Sequence, residues 1–155
     1  MHESTSYLLL YAGRFSKEKR IDLLIKTKPD NCTLLIIGDG EDRDDINKFN
    51  NDKDIKVINK MFTHPELRLF YKAADFTVSA SNFETFGMTC YESLICKTPV
   101  ISQLSPGYRE QIKDSDNGYL INFDNISESK KKILIALNNK DNLNPKIIEN
   151  NNYLN

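Results

Sequence analysis

Continuous apolar runs alternate with stretches of helical spacing along the chain. Tyr7–Ala12 is an apolar run that ends at Gly13. From Glu18 to Lys28, Ile21, Leu24 and Ile25 fall on one helical face, and Pro29 then stops the segment. Thr33–Ile37 is continuously apolar and closed by Gly38-Asp39-Gly40, as a strand buried on both faces would be. A polar helix is predicted over Glu41–Phe49 and a third strand over Ile55–Ile58. Thr63 with Glu66 reads as a capping box, opening a helix to about Ala74. The pattern continues with a strand at Phe76–Ser79, a helix at Gly87–Cys96, a strand at Pro99–Ser102 and a short helix at Gly107–Lys113. A turn at Asn117-Gly118 leads to a strand at Tyr119–Ile121. Helices are predicted over Ser127–Asn138 and Pro145–Tyr153.

Six short strands alternating with helices specify an α/β domain, a doubly wound parallel sheet with helices on both faces. The common winding of such sheets, 3-2-1-4-5-6, makes strands 1 and 4 neighbours where the order reverses, and ligands bind beyond the strand ends at that point. The segment after strand 1 is Gly13-Arg14-Phe15-Ser16-Lys17-Glu18-Lys19, and the segment after strand 4 carries Glu84 and Glu92. Cationic side chains are therefore expected to face two carboxylates across one crevice.

At 155 residues the sequence fits one domain, taken as 1–155. A formal net charge of −1 supplies no global field for nucleic acid, and none is expected as a partner. No apolar run approaches the roughly 18 residues of a membrane span. The first residues lack a signal-peptide pattern. Cys32, Cys90 and Cys96 form neither a C-x-x-C pair nor an even set, so no metal site is expected and a reducing cytoplasm fits. Cys90 and Cys96 read as small buried hydrophobes on one helix.

The segment Glu84-Thr-Phe-Gly-Met-Thr-Cys-Tyr-Glu92 carries the most chemistry. A helix start between two carboxylates offers free N–H groups to an anion and acceptors to hydroxyls, which together describe a nucleotide sugar. An acidic first turn beside the helix dipole is the plainer reading. Arg14 is either a solvated loop charge or a planar fork for a diphosphate. Lys19 is slightly unfavourable at a helix start unless a phosphate is there, and Lys17 and Arg20 are near enough to take its place. Gly38 and Gly40 serve a turn or let the backbone approach a ligand. His64 reads as a first-turn residue rather than a catalytic base. Met61 and Phe62 stand where they would flank a planar base, although core packing explains Phe62 equally well. The run Lys130-Lys131-Lys132 reads as a wet helix face.

Six pieces in order then carry a resemblance. They are Tyr11-Ala-Gly-Arg-Phe-Ser-Lys-Glu-Lys19, Leu35-Ile-Ile-Gly-Asp-Gly40, Leu69-Phe-Tyr-Lys-Ala-Ala-Asp75, Ser81-Asn-Phe-Glu-Thr-Phe-Gly-Met-Thr-Cys-Tyr-Glu-Ser93, Thr98-Pro-Val-Ile101 and Asn117-Gly-Tyr-Leu120. Together they resemble the C-terminal, donor-binding domain of family-4, GT-B-fold retaining glycosyltransferases, over about residues 7–125. The resemblance implies a Rossmann-like sheet forming one half of a GT-B fold. It also implies a hexosyl transfer from a nucleotide-diphosphate sugar to a glycan, lipid or protein, without a separate cofactor. A uridine diphosphate sugar is the first expectation and a guanosine diphosphate sugar the second.

The resemblance also implies roles. Arg14 and Lys19 would hold the diphosphate, with Gly13 beside them, and Glu84 would take the sugar hydroxyls; these three side chains are the expected catalytic set. Backbone amides of Phe86, Gly87 and Met88, with Thr89, would lie against the sugar and phosphates. Glu92 would take the ribose, and Met61 would border the base. Two positions depart from the family: Arg20 and Lys60 stand where glycine is usual, which alters the local loop shapes. An N-terminal acceptor domain is expected to lie outside these residues, so that the chain alone transfers no sugar. A nucleotide-sugar epimerase-like protein or a non-catalytic nucleotide-binding module are the alternatives.

Overall fold

In a computed structural model, residues 6–84 and 87–148 are described. Six strands form one parallel sheet: β1 (Tyr7–Ala12), β2 (Cys32–Ile37), β3 (Ile55–Ile58), β4 (Phe76–Ser79), β5 (Val100–Gln103) and β6 (Gly118–Ile121). Their order is β3-β2-β1-β4-β5-β6. β1 lies against β4 with Leu9 opposite Phe76 and Leu10 opposite Thr77. The reversal of winding therefore falls between these two strands, where the sequence placed it.

Alternate strand residues face two helical layers, because successive side chains point to opposite faces. Leu9, Leu34, Ile36, Ile55, Phe76, Val78, Ile101 and Ile121 share one core with Ile21 and Leu24 of α1 (Ile21–Thr27), Ile46 of α2 (Arg43–Asn47) and Ile133, Ala136 and Leu137 of α6 (Ile126–Asn138). On the other face, Leu10 and Ile37 pack with Tyr71 of α3 (His64–Ala73). Val100 packs with Cys90 and Leu94 of α4 (Met88–Ile95) and with Tyr108 of α5 (Pro106–Arg109). No helix among the described residues is long and apolar enough to cross a membrane.

The capping box is present. Glu66 N–H donates to Thr63 Oγ1, and Thr63 N–H donates to Glu66 Oε2 at 2.8 Å. The bond from the Thr63 backbone holds the Glu66 carboxyl below its ordinary range. A depressed carboxyl stabilises the fold above its unfolded pKa, and that support is lost as pH falls through the folded value. Thr63→Ala is expected to lower stability by about 1 kcal/mol, read as a shift in denaturation midpoint.

Several helix boundaries differ from the sequence reading. The stretch predicted as one helix from Glu18 to Lys28 is a 3-10 turn at Lys17–Lys19, then a break at Arg20, then α1. Arg20 has φ 49° and ψ 46°, the left-handed conformation that glycine would adopt without a Cβ penalty. The glycine that the resemblance implies at this position would suit that backbone shape. Lys60, by contrast, is not among the positive-φ residues. The predicted helix 41–49 shrinks to α2 followed by a 3-10 turn at Lys48–Asn51. Gly118 opens β6 rather than sitting in a turn.

Residues 145–148 are not helical, and the rest of the predicted last helix lies outside the described residues. The segment after α6 is instead pinned across the sheet end. Asn144 N–H donates to the Asp116 carbonyl, and the buried Asn117 amide donates to the Lys146 carbonyl at 2.9 Å. Cys32 and Cys90 are buried, whereas Cys96 is only half-buried just beyond α4. Burial pushes the Cys90 thiol up to about 12. Lys130 and Lys132 pair on the surface with Asp30 and Glu128, as expected of a wet helix face.

Candidate functional site

Two adjoining hollows open beyond the ends of β1 and β4. The first, about 300 Å³, is bordered by Gly13, Arg14, Lys19, Glu84, Thr89 and Tyr108. The second, about 200 Å³, is bordered by Gly13, Lys60, Met61, His64, Met88 and Glu92. Ala12, Gly13 and Thr89 belong to both, so the end of β1 and the first turn of α4 form a shared floor. Thr89 Oγ1 ties the two elements by donating to the Ala12 carbonyl at 3.3 Å.

The floor is built by close backbone packing. Gly13 N–H donates to the Ile37 carbonyl and Gly38 N–H to the Ile58 carbonyl. Phe15 N–H donates to the Asp39 carbonyl at 2.9 Å. A Cβ on Gly38 would stand 1.8 Å from the Gly13 carbonyl oxygen, and one on Gly40 would stand 2.4 Å from that of Phe15. These two glycines therefore admit the loop after β1, the one that carries Arg14 and Lys19.

In the first hollow, Lys19 Nζ is ion-paired with the Glu84 carboxylate. Both side chains are half-buried. Arg14 is exposed at the rim, and its carbonyl accepts from the buried Tyr11 hydroxyl at 2.7 Å. Burial raises the Tyr11 phenol, with Tyr108 and Glu84 adding to the shift, so it stays a neutral donor. Tyr108 shares a 2.6 Å hydrogen bond with Ser79 at the end of β4. Glu84 is held from behind by Gly107 N–H, which donates to its carbonyl at 2.8 Å. Gly87 turns into α4 with φ 71°, and its carbonyl accepts from Tyr91 N–H and the Gln111 amide.

In the second hollow, Glu92 accepts from Tyr71 Oη at 3.1 Å and lies 2.7 Å from His64 Nδ1. Each carboxylate oxygen of Glu92 thus has one partner, and each can accept a further hydrogen bond. Burial raises the Tyr71 phenol, and the Glu92 charge adds to it. Met61 and Met88 are largely exposed along the rim. Phe62 is half-buried against Phe70, with ring centroids 4.9 Å apart, and Lys60 Nζ stands 4.7 Å above it. Residues 85 and 86 lie outside the described residues, and with them the expected contribution of Phe86.

Residues 2–153 match the family of glycosyl transferases group 1. The chain belongs to that family. Over 149 residues it is 34% identical to the poly(ribitol-phosphate) alpha-N-acetylglucosaminyltransferase of Staphylococcus aureus, covering 89% of this chain and 30% of the relative. The C-terminal domain of a glycosyl transferase group 1 protein (LpcC) from Francisella tularensis superposes with a TM-score of 0.72. That match is 25% identical and covers 87% of this chain and 77% of that one. The pneumococcal O-GlcNAc transferase GtfA, solved with UDP and GlcNAc, gives 0.73 at 26% identity, covering 88% of this chain and 30% of that one. The chain spans 27–38% of the length of the first curated relatives it matches.

The structure divides the residues that the sequence grouped together. Gly13, Arg14, Lys19, Glu84 and Thr89 border the first hollow. Met61, Met88 and Glu92 border the second, together with Gly13 and Thr89. Arg20 is withdrawn from the cationic set, because its guanidinium is bonded to Ala80, Asn82 and Asp124. Gly38 and Gly40 admit the neighbouring loop, whose backbone fills the space above them. Sequence reasoning missed the contact of His64 with Glu92. His64 is indeed in the first turn of α3, but the packing of α3 on α4 places it beside that carboxylate. No local signal in the sequence marks that pairing.

Proposed function

We propose that this chain is the donor-binding domain of a retaining glycosyltransferase that uses a nucleotide-diphosphate sugar, with a UDP-sugar first. The two adjoining hollows carry this reading. One presents cations and a carboxylate suited to a sugar diphosphate; the other presents an oriented carboxylate and two methionines suited to a nucleoside. Arg14 and Lys19 would neutralise charge on the departing diphosphate as the bond from the anomeric carbon to its oxygen breaks. Glu84 would accept hydrogen bonds from the sugar hydroxyls and fix the ring for attack by an acceptor hydroxyl, whose proton passes to the departing diphosphate oxygen as the new bond forms.

The UDP in the pneumococcal structure and the N-acetylglucosaminyl product of the Staphylococcus relative support the choice of base and of a hexosyl group. The alpha linkage in that relative's name supports retention. The short span relative to its homologues supports a two-domain enzyme whose acceptor half lies outside these residues. The acceptor is accordingly a glycan, lipid or protein bound by that half, and a cytoplasmic setting belongs to the same reading.

Calorimetric titration with uridine, UDP, GDP and their sugar conjugates tests it. UDP is expected to bind and uridine to bind much more weakly. Arg14→Ala is expected to weaken UDP by about 1.5 kcal/mol and uridine hardly at all, the figure being held down by the exposure of that side chain. Equal losses for both ligands, or no preference for UDP over uridine, would reject the diphosphate clamp.

A further inference from the structure

Two consecutive residues grip the segment that carries Glu84. Lys19 pairs with Glu84 itself. Arg20 reaches the start of the same segment, where its Nε donates to the Ala80 carbonyl at 2.8 Å and its Nη2 to Asn82 Oδ1 at 3.0 Å. The remaining guanidinium nitrogen pairs with Asp124 beyond β6. The Arg20 backbone is left-handed, a conformation that a residue with a Cβ adopts only at a cost. The same bend separates the 3-10 turn of Lys19 from α1. A strained residue at a turn is retained where its surroundings over-determine it. Here the over-determination comes from three acceptors contributed by the segments after β4 and β6, and Arg20 is itself half-buried among them.

We propose that Arg20 is a positioning residue for the sugar end of the donor. It latches residues 80–82 to the start of α1 so that Glu84 stands over the first hollow at a fixed distance from Arg14 and Lys19. Its own charge is neutralised by Asp124, so it adds no charge to the phosphates. The role rests on the reading that Glu84 faces the donor sugar. It adds a reason for this chain to keep an arginine at a left-handed position: the guanidinium supplies rigidity to a segment also held by the bond from Gly107 N–H to the Glu84 carbonyl and by Lys19.

The test uses Arg20→Gly, which suits the left-handed backbone and removes the latch, and Arg20→Lys, which keeps the charge without the planar fork. Amide hydrogen exchange of residues 80–84 is expected to rise roughly tenfold in Arg20→Gly while β1 and β5 keep their protection. In titrations with UDP and UDP-N-acetylglucosamine, Arg20→Gly is expected to keep UDP affinity and to lose most of the preference for the sugar conjugate. Arg20→Lys should fall between. Unchanged exchange at 80–84 would overturn the latch. Exchange raised across the whole sheet, with both ligands weakened alike, would overturn positioning in favour of a general stabilising role. Local loosening with the sugar preference intact would also overturn it. A wild-type chain that binds UDP but shows no sugar preference would reject the assignment of Glu84 instead, and the exchange data would then decide the latch alone.

Discussion

Gly38→Ala is expected to lower folding stability by about 3 kcal/mol and to abolish nucleotide binding. Gly38 has φ 146°, in a region that residues with a side chain avoid. A Cβ there would stand 1.8 Å from the Gly13 carbonyl oxygen and 3.2 Å from the Phe15 ring. The oxygen belongs to backbone that is already hydrogen-bonded to β2 through Gly13 N–H, so it has little freedom to withdraw. The loop after β1 would have to lift, taking with it Gly13, which floors both hollows, and Arg14 at the rim. Gly13→Ala is the control. Its Cβ would stand nearest to the end of the Tyr11 side chain, at 3.0 Å, and should cost about 1 kcal/mol. Urea denaturation with an unchanged slope, read beside UDP titration, measures both effects. A loss for Gly38→Ala no larger than for Gly13→Ala would show that the two loops are not locked together.

The contrast between these two glycines marks what the sequence can disclose. The strands were legible because a parallel strand covered on both faces must be apolar throughout, as Leu8–Leu10 and Leu34–Ile37 are. From six short strands alternating with helices the winding order followed, and with it the meeting of Arg14, Lys19 and Glu84. The capping box at Thr63 was legible because both of its partners lie within one turn. What stayed hidden depends on partners distant in sequence. The break at Arg20 leaves the helical spacing of Ile21, Leu24 and Ile25 intact, and it is held by Ala80, Asn82 and Asp124. The pairing of His64 with Glu92 depends on how α3 leans on α4, which periodicity does not encode. The segment after α6 follows the sheet end because Asp116 and Asn117 hold it, a non-local preference that overrides its local pattern.

Glu92→Gln and Glu84→Gln are expected to separate the two halves of the donor. Glu92 lies in the second hollow, with His64 on one carboxylate oxygen and Tyr71 on the other. On the proposed reading, those partners would orient it toward two neighbouring hydroxyls, the arrangement a ribose presents. An amide keeps the shape and the bond from Tyr71 but loses the charge and one acceptor. It should weaken UDP and UDP-N-acetylglucosamine alike, by about 2 kcal/mol, roughly thirtyfold. Glu84 stands in the first hollow, and its carboxylate is paired with the Lys19 ammonium. Binding a diphosphate must divide that ammonium between Glu84 and the phosphates. Glu84→Gln releases Lys19, so bare UDP should bind as well as before or more tightly. The sugar conjugate should lose the extra affinity its hydroxyls supplied, about 1–2 kcal/mol. Tighter binding of bare UDP should also fade as salt is raised, because the gain is a partly exposed Coulomb attraction. Both variants should melt near the wild type, since each amide retains a hydrogen-bonding group where the carboxylate stood. Weaker UDP binding in Glu84→Gln, with Glu92→Gln affecting only the conjugate, would exchange the roles of the two hollows and place the nucleoside beside Arg14.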